Sequence, residues 1–180
     1  MKEKFLENAK KEYNPRQRLF TLSILAIIFL FLLPFILVTL GSKLDRWLQW
    51  PTIEVAPANL ILGVLMIAIG WLFGLWSNYV QFTFGRGTPV PLMATQKLIV
   101  QPPYNYCRNP MTLGAIVMYL GVAILFGSIG AVVLVFLGAV CLLTYIKKVE
   151  EKEMVLRFGQ EYLDYRKRTP FLIPHFPRQP

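Results

Sequence analysis

Leu19 to Leu40 is a 22-residue stretch without a charge, its apolar run relieved only by Thr21, Ser23, Pro34 and Thr39. At ~1.5 Å per residue, a helix over it is roughly 33 Å long and covers a ~30 Å hydrocarbon core. A secretory leader fits poorly. The run is too long, Glu3, Glu7 and Glu12 are mixed with the lysines before it, and no small-residue cleavage site follows. The stretch is expected to span a membrane, kinked at Pro34, with a neighbouring helix satisfying the carbonyl that the proline frees. Composition agrees: 55% of the 180 residues are apolar and 16% charged, with mean hydropathy +0.48. A soluble domain carries about 25% charged residues. The balance excludes a soluble enzyme and a disordered regulator, and the length suits one domain. Two cysteines, Cys107 and Cys141, and one histidine, His175, exclude a disulfide scaffold and a His/Cys zinc site, so no metal is expected.

A second span is expected from about Asn59 to Val80, with Gly63, Gly70 and Gly74 at helical spacing on or near one face, where another helix can approach closely. Two shorter apolar runs follow, Met111 to Phe126 and Ala131 to Ile146, joined by Gly127-Ser128-Ile129-Gly130. Each is ~25 Å long as a helix, short for a span, and the tight link points to an antiparallel hairpin. The expected fold is an all-α membrane protein of about four transmembrane helices. It divides into a tail with two spans (1–80) and a region made of a polar loop, the hairpin and a C-terminal helix (81–180).

Lys and Arg number six in residues 1–18, two in 41–57, three in 81–110 and eight from Lys147 onward. Asp45 and Glu54 balance the 41–57 loop, so the other side carries the whole +9. By the positive-inside rule that side, with both termini, is cytoplasmic. Topology and anionic headgroups account for the charge, and nothing points to nucleic acid.

Two polar segments meet on that side. Residues 85–91 and 101–110 are rich in Pro and Gly, which restrict φ and remove donors, so a shaped loop is expected. Pro110 suits the first turn of the third helix, with Asn109 as its N-cap. Cys107 beside Arg108 has the surroundings of a lowered pKa, but a small loop residue is the preferred reading; Cys141 is expected to pack within its span. From Tyr145 to Arg168, Ile146, Val149, Met154, Leu156 and Phe158 are expected to keep one side buried. Gly159 reads as a break, Tyr162 and Tyr165 lie on one face of a short helix, and Thr169-Pro170 stops it. An amphipathic helix on the headgroups explains Arg166, Lys167 and Arg168. It does not explain Glu150 and Glu151 at the mouth of a span, which suit something cationic or rich in hydroxyls.

The ordered set is Gly-x-Gly-Thr-Pro-x-Pro (85–91), Lys97-Leu98-Ile99-Val100, Pro103-Tyr104 and, four residues on, Asn109-Pro110-Met111. A hairpin, Glu150-Glu151 and Phe-Gly-x-x-Tyr-x-x-Tyr (158–165) complete it. Over about residues 85–174 it resembles the isoprenylcysteine carboxyl methyltransferase family, small integral-membrane methyltransferases that include phospholipid N-methyltransferases. The resemblance implies a helix bundle in which the cytosolic loop and C-terminal segment enclose S-adenosylmethionine, with a lipid-like substrate entering from the bilayer. It implies cofactor contacts at Gln96, Lys97, Leu98, Ile99, Tyr104, Asn109, Pro110, Met111, Thr112 and Glu150. Ile146 and Lys147 fall at the substrate position, and Glu151 and Arg108 are the catalytic candidates. Several positions depart from the family: Asn109 replaces a histidine, Thr112 an aromatic, Pro102 a glycine and Phe171 an arginine.

Methyl transfer from a sulfonium asks the protein mainly for position and electrostatics. A carboxylate acceptor such as prenylcysteine needs no base, whereas a phospholipid amine must lose its proton, for instance to Glu151. Tyr104, Tyr162 and Tyr165 offer π faces to the sulfonium, although Tyr162 and Tyr165 also suit anchoring at the membrane interface. The alternative expectation is a non-catalytic membrane protein keeping this scaffold. A third is a reductase, by similarity of the C-terminal half to sterol reductases.

Overall fold

The structure, a computed structural model, describes residues 14–53, 56–85 and 95–175; most of the 85–91 segment, Glu54 and the first thirteen residues lie outside this set. Every regular element among the described residues is helical. Helix α1 (Pro15–Ile27) starts at a capping box made by Asn14 and Gln17. It continues through a π-helical turn, Ile28–Leu32, into α2 (Leu33–Leu48). Then come α3 (Ala58–Thr83), α4 (Pro110–Leu125), α5 (Ile129–Tyr145), a second π-helical turn (Ile146–Glu150) and α6 (Glu151–Arg168).

Three continuous helices are long and apolar enough to cross a membrane: Arg16–Leu48, Ala58–Thr83 and the helix that begins at Ile129. The apolar part of the last is α5. Helix α4, at 16 residues, is shorter, ~24 Å at 1.5 Å per residue. Phe20, Phe31, Phe35, Leu72, Leu137 and Val140 lie exposed on the outer faces. So many exposed large apolar groups suit a hydrocarbon solvent rather than water.

The π turn before Pro34 shows how the proline is accommodated. The Leu33 N–H donates to Ile28 O, so it is not engaged by Phe29 O. The next residue in line for that carbonyl is Pro34, which has no N–H. The Tyr119 hydroxyl of α4 fills the vacancy, donating to Phe29 O at 2.9 Å. The freed carbonyl expected at Pro34 is thus Phe29's, and a neighbouring helix satisfies it.

Helices α3 and α4 form the tightest interface, antiparallel. A Cβ added at Gly70 would stand 2.5 Å from Gly114 O and Met118 N, and one at Gly63 would stand 2.9 Å from Gly121 O. Two glycines seven apart on each helix let the backbones touch, and packing rather than the hydrophobic effect drives such association in lipid. Gly74 lies at the edge of this face: a Cβ there would meet nothing within 4 Å, although a Cβ at Gly114 would stand 3.0 Å from Gly74 N.

The first helix runs on past Leu40 to Leu48, so the expected 41–57 loop is half helix. Asp45 is consequently no loop charge. Buried on α2, its carboxylate accepts from Ser128 Oγ at 2.5 Å and from Gly130 N at 2.6 Å. It closes the α4–α5 turn and sits at the N-terminus of α5, where the helix dipole favours an anion. At the other end Arg18 donates to Phe82 O and stacks on the Phe82 ring at 4.2 Å. That brings the start of α1, the end of α3 and the polar segments to one end of the bundle. Cys141 lies exposed on α5 rather than in a packing interface.

Candidate active site

At this end a cavity of ≈ 140 Å³ opens between the ends of α3 and α5, the 95–109 segment and α6. Helix α3 contributes Gln81. Thr95, Leu98, Ile99, Tyr104, Arg108 and Asn109 come from the connecting segment, and Ile146, Glu150, Glu151, Met154, Tyr162 and Tyr165 from the last helix.

The second π turn accounts for the shared wall. In an α-helix residues i and i+5 point well apart, but the Glu151 N–H bonds Ile146 O, the wider π pattern. Ile146, Glu150, Glu151 and Met154 therefore line the same space. Val149 and Leu156, expected on the buried side, are instead exposed. Gly159, at φ 54 and ψ −127, breaks the helix in a conformation essentially restricted to glycine. Beyond the break Tyr162 and Tyr165 turn inward and are buried, with ring centroids 6.0 Å apart. They build the cavity and do not anchor at an interface.

Hydrogen bonds to backbone carbonyls lock the connecting segment in place. Tyr165 Oη donates to Tyr104 O at 2.6 Å, and Arg108 Nη1 to Arg166 O at 2.9 Å. Asn109 occupies the N-cap position of α4, but its side chain makes no cap. Its amide instead donates to Phe171 O at 2.9 Å, tying the chain after α6 to the helix start. The Arg108 and His175 N–H groups donate to Pro170 O and Tyr106 O, at 2.8 and 2.9 Å. Arg157, paired with Glu153 at 3.2 Å, also donates to Thr95 O.

The charges differ in their engagement. Arg108 Nη2 meets Glu151 Oε1 at 2.6 Å, both side chains nearly buried, and the guanidinium stacks over the Phe171 ring at 5.6 Å. Glu150 has neither a hydrogen bond nor an ion pair with any described residue. Burial and then the Glu153 charge push its carboxyl above the usual carboxylate range. Burial pushes the Tyr162 hydroxyl up to about 12, with the nearby Glu151 charge adding to it. Cys107 is fully buried, and burial pushes its thiol up, which fits the small packed loop residue and not an activated thiol.

Of the residues singled out from the sequence, Leu98, Ile99, Tyr104, Arg108, Asn109, Ile146, Glu150 and Glu151 meet at the cavity. Gln96, Met111 and Thr112 are half-buried beside it, Lys97 and Lys147 are exposed, and Pro110 is packed in the start of α4. Gln81 and Thr95 were missed. Gln81 lies at the end of an apolar helix with no motif around it, though a buried-length polar residue there was the available signal. Its Oε1 is buried without a hydrogen-bond partner among the described residues.

A helical membrane bundle with a polar, aromatic-lined cavity at one end defines the class, and sequence comparison places the chain within it. The pattern of the phospholipid methyltransferase family matches residues 58–161, more than half of the chain, and the chain belongs to that family of membrane methyltransferases. It is similar to a methanethiol S-methyltransferase of Crocosphaera subtropica, 26% identical over 76% of this chain and 57% of that protein. A protein of the same name from Mycobacterium tuberculosis is 26% identical over 71% of this chain and 46% of its own length. The cobalt-zinc-cadmium resistance protein CzcN of Cupriavidus metallidurans is 24% identical over 75% and 58%. The chain spans about half the length of these relatives. Family and helices together make it an integral membrane protein.

Proposed function

We propose that the chain is a S-adenosylmethionine-dependent methyltransferase whose acceptor reaches the cavity from the bilayer. The observation that carries this reading is Glu150, a half-buried carboxylate without a partner among the described residues, in a cavity walled by tyrosines. A buried charge without a counter-ion is costly, and a cationic ligand relieves it. The donor set fits a sulfonium: Glu150 for its charge, the Tyr104 and Tyr162 rings for its π-seeking cation, and Leu98 and Ile99 for apolar contact. S-adenosylmethionine supplies, when bound, a methyl group already activated for displacement. The protein's share is alignment and exclusion of water, and alignment alone is worth up to roughly 7–11 kcal/mol.

Glu151 and Arg108 then act as a clamp between α6 and the connecting segment, with the Glu151 carboxylate engaged by the guanidinium. The exposed Lys147, Lys148, Lys152, Arg166, Lys167 and Arg168 around the cavity end support a cytoplasmic position for it. The test is calorimetric titration of S-adenosylmethionine, which carries the sulfonium charge assigned to Glu150, into the full chain in nanodiscs, beside Glu150→Ala. Micromolar binding that the variant loses is the expected result. Equal binding by both removes Glu150 from the site, and binding by neither refutes the reading in favour of a non-catalytic scaffold.

A further inference from the structure

Behind the cavity wall lies a second ion pair, Arg157 with Glu153, neither of which lines the cavity itself. Their side chains are only 10% and 9% exposed. Desolvating two charges offsets most of their attraction, so a buried pair is a poor device for stability alone. Its contacts suggest another use. Arg157 Nη1 meets Glu153 Oε1 at 3.2 Å, the other terminal nitrogen donates to Thr95 O, and the guanidinium lies over the Phe158 ring at 4.9 Å.

Two of these contacts lead to the cavity. Thr95 lines it, and the Gln96 N–H donates to Gly85 O at 2.7 Å, so Thr95 stands where the connecting segment meets the end of α3. Glu153 follows Glu150 by three residues, and side chains so spaced are neighbours on a helix. Even paired, the Glu153 charge adds to the burial that raises the Glu150 carboxyl. Stripped of its cation, Glu153 would stand beside Glu150 as a second full charge, and two carboxylates sharing a dry site drive one of them to take a proton. The other charges near this face are engaged or turned to solvent: Arg108 holds Glu151 at 2.6 Å, and Lys147, Lys148 and Lys152 are exposed.

We propose that Arg157 is a positioning residue for the methyl-donor site: by neutralising Glu153 it keeps the negative charge on Glu150 facing a sulfonium, and by holding Thr95 O it fixes the wall that Thr95 supplies. The proposal rests on the methyltransferase reading. It gives Arg157 two separable effects, one on charge and one on shape. S-adenosylmethionine and S-adenosylhomocysteine distinguish them, because they share their adenosine and amino-acid parts and differ by one methyl group and one positive charge. Loss of shape weakens both ligands alike, whereas loss of the Glu150 charge weakens only the sulfonium.

The test measures the affinities of both ligands by calorimetry on the full chain in nanodiscs. Arg157→Gln keeps a donor and removes the cation. Its affinity for S-adenosylmethionine should fall about tenfold further than its affinity for S-adenosylhomocysteine. Adding Glu153→Gln removes the stranded carboxylate, and the double variant should return the ratio of the two affinities to within about twofold of wild type. Arg157→Lys keeps the cation without the fork and decides the matter even if Arg157→Gln does not fold. Its ratio should stay at the wild-type value while both affinities fall together. Equal losses for the two ligands in Arg157→Gln overturn the proposal, as does a ratio that the double variant does not restore or that Arg157→Lys lowers. Failure of the wild type to bind either ligand overturns the methyltransferase reading itself, and the proposal with it.

Discussion

The Arg108–Glu151 pair is the clamp on which the cavity's shape depends, and its strength is open to measurement. The Arg108 guanidinium meets Glu151 at 2.6 Å, the Arg166 carbonyl at 2.9 Å and the Phe171 ring at 5.6 Å. Both charged side chains are about nine-tenths buried, so the surface-pair value of under ~1 kcal/mol does not apply. Arg108→Met preserves the stem but strands the Glu151 carboxylate, and breaking a buried pair on one side costs about 3–5 kcal/mol. Glu151→Leu strands the guanidinium at similar cost. Replacing both removes the stranded charge, and buried pairs replaced by apolar residues are often near neutral. The double variant should therefore recover to within about 1–2 kcal/mol of wild type. Amide hydrogen exchange in nanodiscs reads the local opening of residues 101–110 and 160–168. A loss of ~3 kcal/mol appears as more than a hundredfold faster exchange in both segments. If Arg108→Met accelerates exchange less than about fivefold, or if the two single costs simply add in the double variant, the pair is solvated and the dry-clamp argument is wrong.

Other perturbations separate the remaining parts. Gly70→Ala places a Cβ 2.5 Å from α4 backbone and should cost about 1–3 kcal/mol in detergent unfolding. Gly74→Ala and Gly138→Ala, which meet open space, should be silent. Gly159→Ala forces an alanine to φ 54, at about 1–3 kcal/mol, and should speed exchange in 160–168 while sparing α3 and α4. For Glu150 the pH dependence has a definite sign. Its carboxyl is raised by burial and by Glu153, so its favourable contribution is complete below the ordinary carboxylate pKa and is lost as pH rises through the raised value. Glu150→Gln should thus unfold at a higher temperature than wild type at pH ~7 and at the same temperature near pH ~4.

The helices were legible because hydrocarbon leaves a chain little choice. Runs from Leu19, Asn59, Met111 and Ala131 could hardly be anything else, and the observed α3, α4 and α5 begin and end within three residues of them. The polar ends were harder. Whether the helix stopped at Leu40 or Leu48 depended on Asp45, a charge that belongs in a loop until Ser128 and Gly130, more than eighty positions away, supply its partners. Nothing local announces them. Apolar periodicity was equally silent on packing, because lipid and protein interior are both apolar and a lipid-facing leucine reads like a buried one. Only the glycines carried that information, and their spacing could not say that Gly74 lies at the edge of the contact while Gly70 points into it.

The site divides in the same way. Residue types and their order brought out Glu150, Glu151, Tyr104 and Arg108, because polar groups at the mouth of a span need a reason. Their roles depended on pairing and phase. A single π turn at Ile146 sets residues 146, 150, 151 and 154 on one wall, and a slip of one residue in a helix leaves no trace in composition. The same slip decides which glutamate meets Arg108. Glu151, seated against the connecting segment, is held as a clamp; Glu150, one residue earlier, is left to face the cavity. Two adjacent carboxylates in the sequence are thus divided by backbone geometry into one that fixes the site's shape and one whose charge remains available to a ligand. Exchanging their environments would require removing the π turn, and with it the wall that Ile146 and Met154 complete.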